Sequence, residues 1–179
     1  MTHDARDTAR LFFAAWPGPD VQDALHEIAL QARNECGGRA IAARNIHLTL
    51  AFLGNVGRTR MAELEALAGA TAGSSCDLVV DRIGFFRESR VVWAGVERCP
   101  DGLSALVSAL SAALRAIEFR LDRRPYVPHA TLLRNARRGP PGSGTGPIAW
   151  PVRDFALVES VQRGGERIYE VLRRWPLRG

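Results

Sequence analysis

The sequence predicts a single domain of mixed helices and strands, folded as two similar βαβ-like lobes. Three observations lead there. A tetrapeptide pattern occurs twice, as His47-Leu48-Thr49-Leu50 and His129-Ala130-Thr131-Leu132, 82 positions apart. Each copy follows a strand and a helix at nearly the same pitch: Phe13 precedes His47 by 34 positions and Trp93 precedes His129 by 36. The chain has 179 residues, 46% of them apolar, which suits one domain with a substantial core. Self-similarity of this kind reads as an internal duplication, in which an approximate two-fold sets the two motif strands side by side across a groove.

Taken in order, Arg10-Leu11-Phe12-Phe13-Ala14-Ala15-Trp16 reads as a buried strand, stopped by Pro17-Gly18-Pro19. A helix is expected from Asp20 to about Arg33, because Val21, Leu25, Ile28, Ala29 and Ala32 recur at helical spacing before Cys36-Gly37-Gly38. The first motif strand runs from Ile46 to Leu53 and is closed by Gly54-Asn55. Met61, Leu64, Leu67 and Ala68 place a second helix between Arg58 and about Ala70. Cys76–Ile83 and Val91–Glu97 read as strands separated by Gly84-Phe85-Phe86-Arg87-Glu88-Ser89. A long helix from about Asp101 to Phe119 carries an apolar stripe of Leu103, Leu106, Val107, Leu110, Leu114 and Ile117. After the second motif strand, the Gly/Pro-rich stretch from Arg137 to Pro147 is expected to be a mobile surface loop. Ile148–Val161 and Arg167–Leu172 then supply two strands that return to complete a sheet, joined through Gln162-Arg163-Gly164-Gly165-Glu166.

Composition narrows the function classes. No apolar run approaches the ~20 residues of a membrane-spanning helix, and Met1-Thr2-His3-Asp4-Ala5-Arg6 lacks a signal-peptide layout, so a cytoplasmic protein without a membrane partner is expected. Cys36, Cys76 and Cys99 are odd in number and lack a C-x-x-C pair, which argues against a disulfide framework and a thiolate zinc site. The net charge is +5, and all 24 basic residues are Arg. Arginine matches phosphate with a planar fork and stacks on bases, so an RNA or nucleotide partner is compatible, although genome base composition alone can also produce an all-Arg inventory.

The motif itself carries chemistry. Side chains alternate along a strand, so His47 and Thr49 share one face while Leu48 and Leu50 share the other, and His129 and Thr131 are separated from Ala130 and Leu132 in the same way. Two imidazoles across a groove can act as general acid and general base, and two hydroxyls can hold the oxygens of a phosphate. No Asp, Glu or Cys lies within five residues of either His, so a metal site is not expected, nor is any cofactor. The stretch from Gly139 to Gly146 lacks the Lys-Ser/Thr ending of a P-loop. His3 and His26 have no partner motif; His26 is read as structural. Arg134 stands five positions after His129 and could turn its guanidinium back to a phosphate, and Phe85, Phe86 and Tyr126 could stack on a base.

The two motifs, in the settings Asn45-Ile46-His47-Leu48-Thr49-Leu50-Ala51-Phe52-Leu53-Gly54 and Arg124-Pro125-Tyr126-Val127-Pro128-His129-Ala130-Thr131-Leu132, resemble those of the 2H phosphoesterases, and within them the RNA 2′,3′-cyclic phosphodiesterases of the 2′-5′ RNA ligase family. The resemblance runs from Arg10 to Leu172. It implies a bilobal α+β fold over residues 1–179, with two antiparallel sheets facing a central cleft, and hydrolysis of a 2′,3′-cyclic phosphate RNA end to a 2′-phosphomonoester. It makes His47 the proton donor, His129 the acceptor that activates water, and Thr49, Thr131 and Arg134 the phosphate ligands. The implied partner is an RNA or oligonucleotide with a 2′,3′-cyclic phosphate end, met by a monomer. An RNA-end binding module without turnover, a 2′-5′ RNA ligase and a nucleotide phosphodiesterase on the same site stand as alternatives.

Overall fold

Apolar side chains at both parities of Leu11-Phe12-Phe13-Ala14-Ala15 need cover on two faces, and the strand they form, β1 (Thr8–Ala15), has it. The computed structural model describes residues 7–142 and 144–179, so His3 lies outside the described residues. After β1 the chain forms α1 (Pro19–Cys36), β2 (Arg39–Ala40), β3 (Leu48–Gly57), α2 (Met61–Ala70), β4 (Cys76–Phe86) and β5 (Val91–Gly95). It continues through α3 (Asp101–Ala116), β6 (His129–Arg134), β7 (Gly144–Val152), β8 (Asp154–Arg163) and β9 (Glu166–Pro176). Leu11 and Phe13 join Leu25 and Ala29 of α1, Leu64 and Ala68 of α2, and the α3 stripe Leu103, Leu106, Val107, Leu110 and Leu114 in one core. Phe12 and Ala14 point the other way, into a small cluster with Ala156 and Val158 that Trp16 and Tyr169 border. The helices therefore cover one face of the sheet, and the second face is left for the site.

Two separate sheets were expected; the strands form one, in the order β7-β4-β5-β6-β3-β1-β8-β9, with β2 added beside β6. Its halves are joined by a single residue pair, Leu48↔Ala130. Outward from that joint one half reads β3-β1-β8-β9 and the other β6-β5-β4-β7, which is the equivalence the duplicated motif suggested. The βαβ reading needs correction, because β1 pairs with β3 and β5 with β6 antiparallel. A βαβ unit gives parallel strands, since the helix returns the chain to the starting end. Here α1, about 27 Å long for its 18 residues at ~1.5 Å each, ends beside the C-terminal end of β6, where Gly38 meets the Arg134 carbonyl, and β2, antiparallel to β6 as β3 is, already runs in the direction of β3. In the other half α3 likewise ends beside the far end of β3, where Arg60 donates to the Ile117 carbonyl at 2.8 Å.

Other boundaries move for local reasons. Gly84, Phe85 and Phe86 belong to β4, and the turn lies later, at Arg87–Arg90. The expected strand Ile148–Val161 is two strands interrupted at Arg153, one at an outer edge and one inside the opposite half. β7 starts at Gly144, inside the stretch expected to be loop; it pairs with β4 alone, and an edge strand tolerates Pro147 and Pro151, which cannot donate to a ladder. Gly164 and Gly165, with φ of 58° and 82°, make the two-residue turn between β8 and β9.

The approach of β2 to β6 rests on two glycines. Gly37 caps α1, donating its N–H to the Arg33 carbonyl at 2.9 Å. Gly38 has a φ of +85°, and a Cβ there would stand 2.6 Å from the Arg134 carbonyl oxygen. Gly38→Ala combines a left-handed backbone with a backbone clash, so it is expected to cost roughly 1–3 kcal/mol in urea unfolding. A variant with an unchanged midpoint would show that β2 docks on β6 without needing glycine.

Candidate active site

An antiparallel pair fixes its neighbours. With Leu48 opposite Ala130, His47 stands alongside Thr131 and Thr49 alongside His129. Leu48, Leu50, Ala130 and Leu132 are buried on the helix side, whereas the two His and two Thr are half-buried on the opposite face. The four side chains thus form a square with the imidazoles on one diagonal and the hydroxyls on the other. His47 immediately precedes β3, and His129 opens β6.

Arg134 presents a parity problem, because a residue five positions after His129 in a regular strand points to the other face. A β-bulge solves it. Trp93 faces Thr131 while Val92 faces Leu133, so Leu132 is the extra residue. Leu132 and Leu133 are both buried, and Arg134 returns to the His/Thr face. The first motif has the same device: Ala14 faces Thr49, Phe13 faces Ala51, and Leu50 and Ala51 are both buried. The counterpart of Arg134 is therefore Phe52, 47% exposed with the Arg10 guanidinium 4.7 Å above its ring.

Both imidazoles are oriented alike. Nδ1 of His47 lies 2.7 Å from the Asn45 carbonyl oxygen, and Nδ1 of His129 lies 2.7 Å from that of Val127, each two residues upstream. A carbonyl only accepts, so Nδ1 carries the hydrogen and Nε2 is left to exchange a proton. Burial pushes the His47 pKa down from 6.5 to about 4; the Asn45 bond opposes this, and the charges of Arg134 and His129 reinforce it. Burial also lowers that of His129, with the Val127 bond opposing and Arg134 reinforcing.

The burial comes from aromatic rings, of which sequence reasoning assigned only Phe86 to the site. Trp16 stacks on His47 at 4.8 Å between centroids, Phe12 lies at 5.0 Å, and Tyr169 meets it edge-on at 4.9 Å. Trp16 is held by its indole N–H, which donates to the Arg44 carbonyl at 3.2 Å. Beside His129 stand Phe86 at 5.0 Å and Trp93 at 6.2 Å. Gly84 and Gly95 give Trp93 room: a Cβ at Gly84 would overlap the indole, and one at Gly95 would come within 2.8 Å. The parity of Phe12, Ala14 and Trp16, opposite to that of Leu11 and Phe13, was the available signal. Of the three proposed base-stackers only Phe86 reaches the site. Phe85 packs on the core, and Tyr126 donates its hydroxyl to the Thr49 carbonyl at 3.1 Å, tying the two motifs together. His26 is structural as expected, with Nδ1 2.9 Å from the Ile41 carbonyl oxygen.

A cavity of about 350 Å³ adjoins the square, with Arg134, Asn45 and Tyr169 in its wall. Among the described residues no three His, Cys, Asp or Glu side chains converge as metal ligands, and no helix is long and apolar enough to cross a membrane.

Residues 17–161 match the 2′-5′ RNA ligase superfamily. The chain is 38% identical to an RNA 2′,3′-cyclic phosphodiesterase of Escherichia coli (strain K12), over 94% of this chain and 96% of that protein. It is 31% identical to one from Thermus thermophilus, over 95% and 91%. Among solved structures, a phosphoesterase superposes with a TM-score of 0.90 at 32% identity, covering 96% of this chain and 99% of that one. E. coli LigT complexed with 3′-AMP superposes with a TM-score of 0.88 at 33% identity, covering 95% and 98%.

The aromatic packing makes the imidazoles hard to protonate. An NMR titration is expected to place His47 near pH 4 and His129 below 6.5, and Trp16→Ala should raise the His47 value by admitting water. A His47 that titrates at 6.5 in both proteins would show that the ring packing does not desolvate it.

Proposed function

The chain belongs to the 2′-5′ RNA ligase superfamily, and we propose that it is an RNA 2′,3′-cyclic phosphodiesterase that opens the cyclic phosphate to a 2′-phosphomonoester by two-histidine acid–base catalysis. The observation that carries this reading is the square itself: two imidazoles, each with Nδ1 committed to a carbonyl, on one diagonal, and two threonines on the other.

Water attacks phosphorus and gives its proton to Nε2 of His129. The bond from phosphorus to the 3′ oxygen breaks, and that oxygen takes a proton from Nε2 of His47, leaving a 3′ hydroxyl and a 2′ phosphate. Thr49, Thr131 and Arg134 hold the non-bridging oxygens as charge develops on them. Solvent then returns one proton to His47 and removes one from His129. Both transfers use protein groups, so no metal is needed. The cyclic ester uses the ribose 2′ oxygen, which restricts the substrate to RNA. Because burial keeps His47 neutral in the free protein, its charged form depends on the anionic phosphate. Substrate binding therefore raises the pKa of the group that must donate.

His47→Ala and His129→Ala are each expected to lower turnover of a short RNA with a 2′,3′-cyclic phosphate end by roughly 10²- to 10⁴-fold with the fold retained. Thr49→Val and Thr131→Val should lose less, about ten- to a hundredfold. Near-full activity in either His variant would sink the two-histidine mechanism. Dialysis against EDTA should leave the rate unchanged; loss of activity restored by zinc would overturn the metal-free reading.

The pH profile follows from the same burial. One imidazole must be charged and the other neutral, so kcat/KM should trace a bell whose limbs belong to the pair. Both values are depressed in the free protein, so the optimum of kcat/KM should lie below pH 6.5 and the rate should fall as pH rises past it. The kcat optimum, which reports the complex, should lie higher because the bound phosphate stabilises the imidazolium. A kcat/KM that climbs through neutrality to a plateau would exclude this pair as the titrating groups.

A further inference from the structure

Next to the His/Thr square, two arginines occupy an arrangement that costs free energy unless something anionic relieves it. Arg39 of β2 and Arg134 of β6 are direct partners in the antiparallel register. Partners project on the same face, and like charges placed so are destabilising. Two separate backbone devices create the pair: Gly38 lets β2 close on the Arg134 carbonyl, and the bulge at Leu132 turns Arg134 to the site face. Arg44 and Arg167 line the same cavity from the turn before His47 and from β9. Glu166 is the one carboxylate in that lining, and it is engaged with Arg44 at 3.2 Å. Among the described residues, Arg39, Arg134 and Arg167 have no ion-pair partner.

The cavity continues from the reacting centre. Asn45, whose carbonyl holds His47, lies in its wall and donates its side-chain amide to the Arg167 carbonyl at 3.2 Å. Tyr169, which meets the His47 ring edge-on, is part of the same wall. A ligand whose cyclic phosphate sits on the square would extend into it, and the next charged group of such a ligand is the phosphate on its 5′ oxygen.

We propose that this four-arginine cavity is a second phosphate subsite, which takes the 5′ phosphate of the nucleoside bearing the cyclic end. Arg39 and Arg167 are its specific ligands, and Arg134 is shared with the reacting phosphate. The phosphate can be the phosphodiester of an RNA chain or a 5′ monoester; both present the same oxygens to guanidinium forks. The proposal rests on the phosphodiesterase reading for its orientation, and it makes a 5′-phosphorylated or oligomeric end the preferred substrate over a bare nucleoside 2′,3′-cyclic phosphate.

The test uses binding and turnover separately. By calorimetry, a nucleoside 2′,5′-bisphosphate should bind at least about tenfold more tightly than the nucleoside 2′-monophosphate, the scale of one charge-assisted contact. In Arg39→Ala and Arg167→Ala that ratio should fall towards one. In turnover, kcat/KM should rise from the nucleoside 2′,3′-cyclic phosphate to its 5′-phosphorylated form, with the dinucleotide gaining similarly. Equal binding of the two phosphates, or a ratio that survives in both variants, would overturn the subsite. So would a gain confined to the dinucleotide, since that contact would be to the upstream nucleoside. Absence of turnover on all three substrates, with the binding ratio intact, would strike the phosphodiesterase reading and leave the subsite standing.

Discussion

One cross-strand pair holds the site together. Leu48↔Ala130 is the sole registered contact between the inner strands of the two halves, and every statement about the His/Thr square depends on it. A slip of one residue would turn the His and Thr of the slipped strand to the helix side and bring its apolar residues to the open face. Leu48 and Ala130 are both buried against the helices, so the hydrophobic core enforces the register that the chemistry requires. The hydrogen bond from Tyr126 to the Thr49 carbonyl crosses the same joint and supports it. Beyond this joint β3 and β6 have no further register among the described residues, and the strands of the first half meet β6 again only through β2, where Arg39 faces Arg134.

The bulges show how small irregularities set function. Each motif has one extra residue immediately after its Thr, and in both cases two consecutive apolar side chains enter the core. The side chain three positions past the Thr is thereby returned to the site face, as Phe52 in one half and Arg134 in the other. Equivalent backbones thus deliver an aromatic ring and a cation, so the duplicated scaffold yields a chemically asymmetric site.

Aromatic packing and arginine charge act on the imidazoles in the same direction. Trp16, Phe12 and Tyr169 around His47, and Phe86 and Trp93 around His129, withdraw the rings from water, and Arg134 adds repulsion. A site built this way disfavours the charged imidazole, and an anion beside the rings acts in the opposite direction. The clasp of Arg44 on Glu166 and of Asn45 on Arg167 joins the β8–β9 hairpin to the turn before His47, so the arginine-lined cavity and the imidazole share one support.

The sequence by itself determined the elements that periodicity encodes. The α3 stripe, the alternation around His47 and His129, and the pairing of the two motifs were legible because side-chain parity and helical spacing are local properties of the chain. So were the candidate residues His47, Thr49, His129 and Thr131, which a repeated pattern marks without reference to any partner. Only the tertiary structure decided strand direction, the fusion of two expected sheets into one, and the split of Ile148–Val161 between opposite halves, because these depend on which edges meet across long sequence separations. It also decided that Arg134 faces the site, since a bulge changes parity without a sequence signal, and that Trp16, Trp93 and Arg39 stand beside it. Those three come from other strands or from the chain just beyond them, and no spacing within the motifs could have pointed to them.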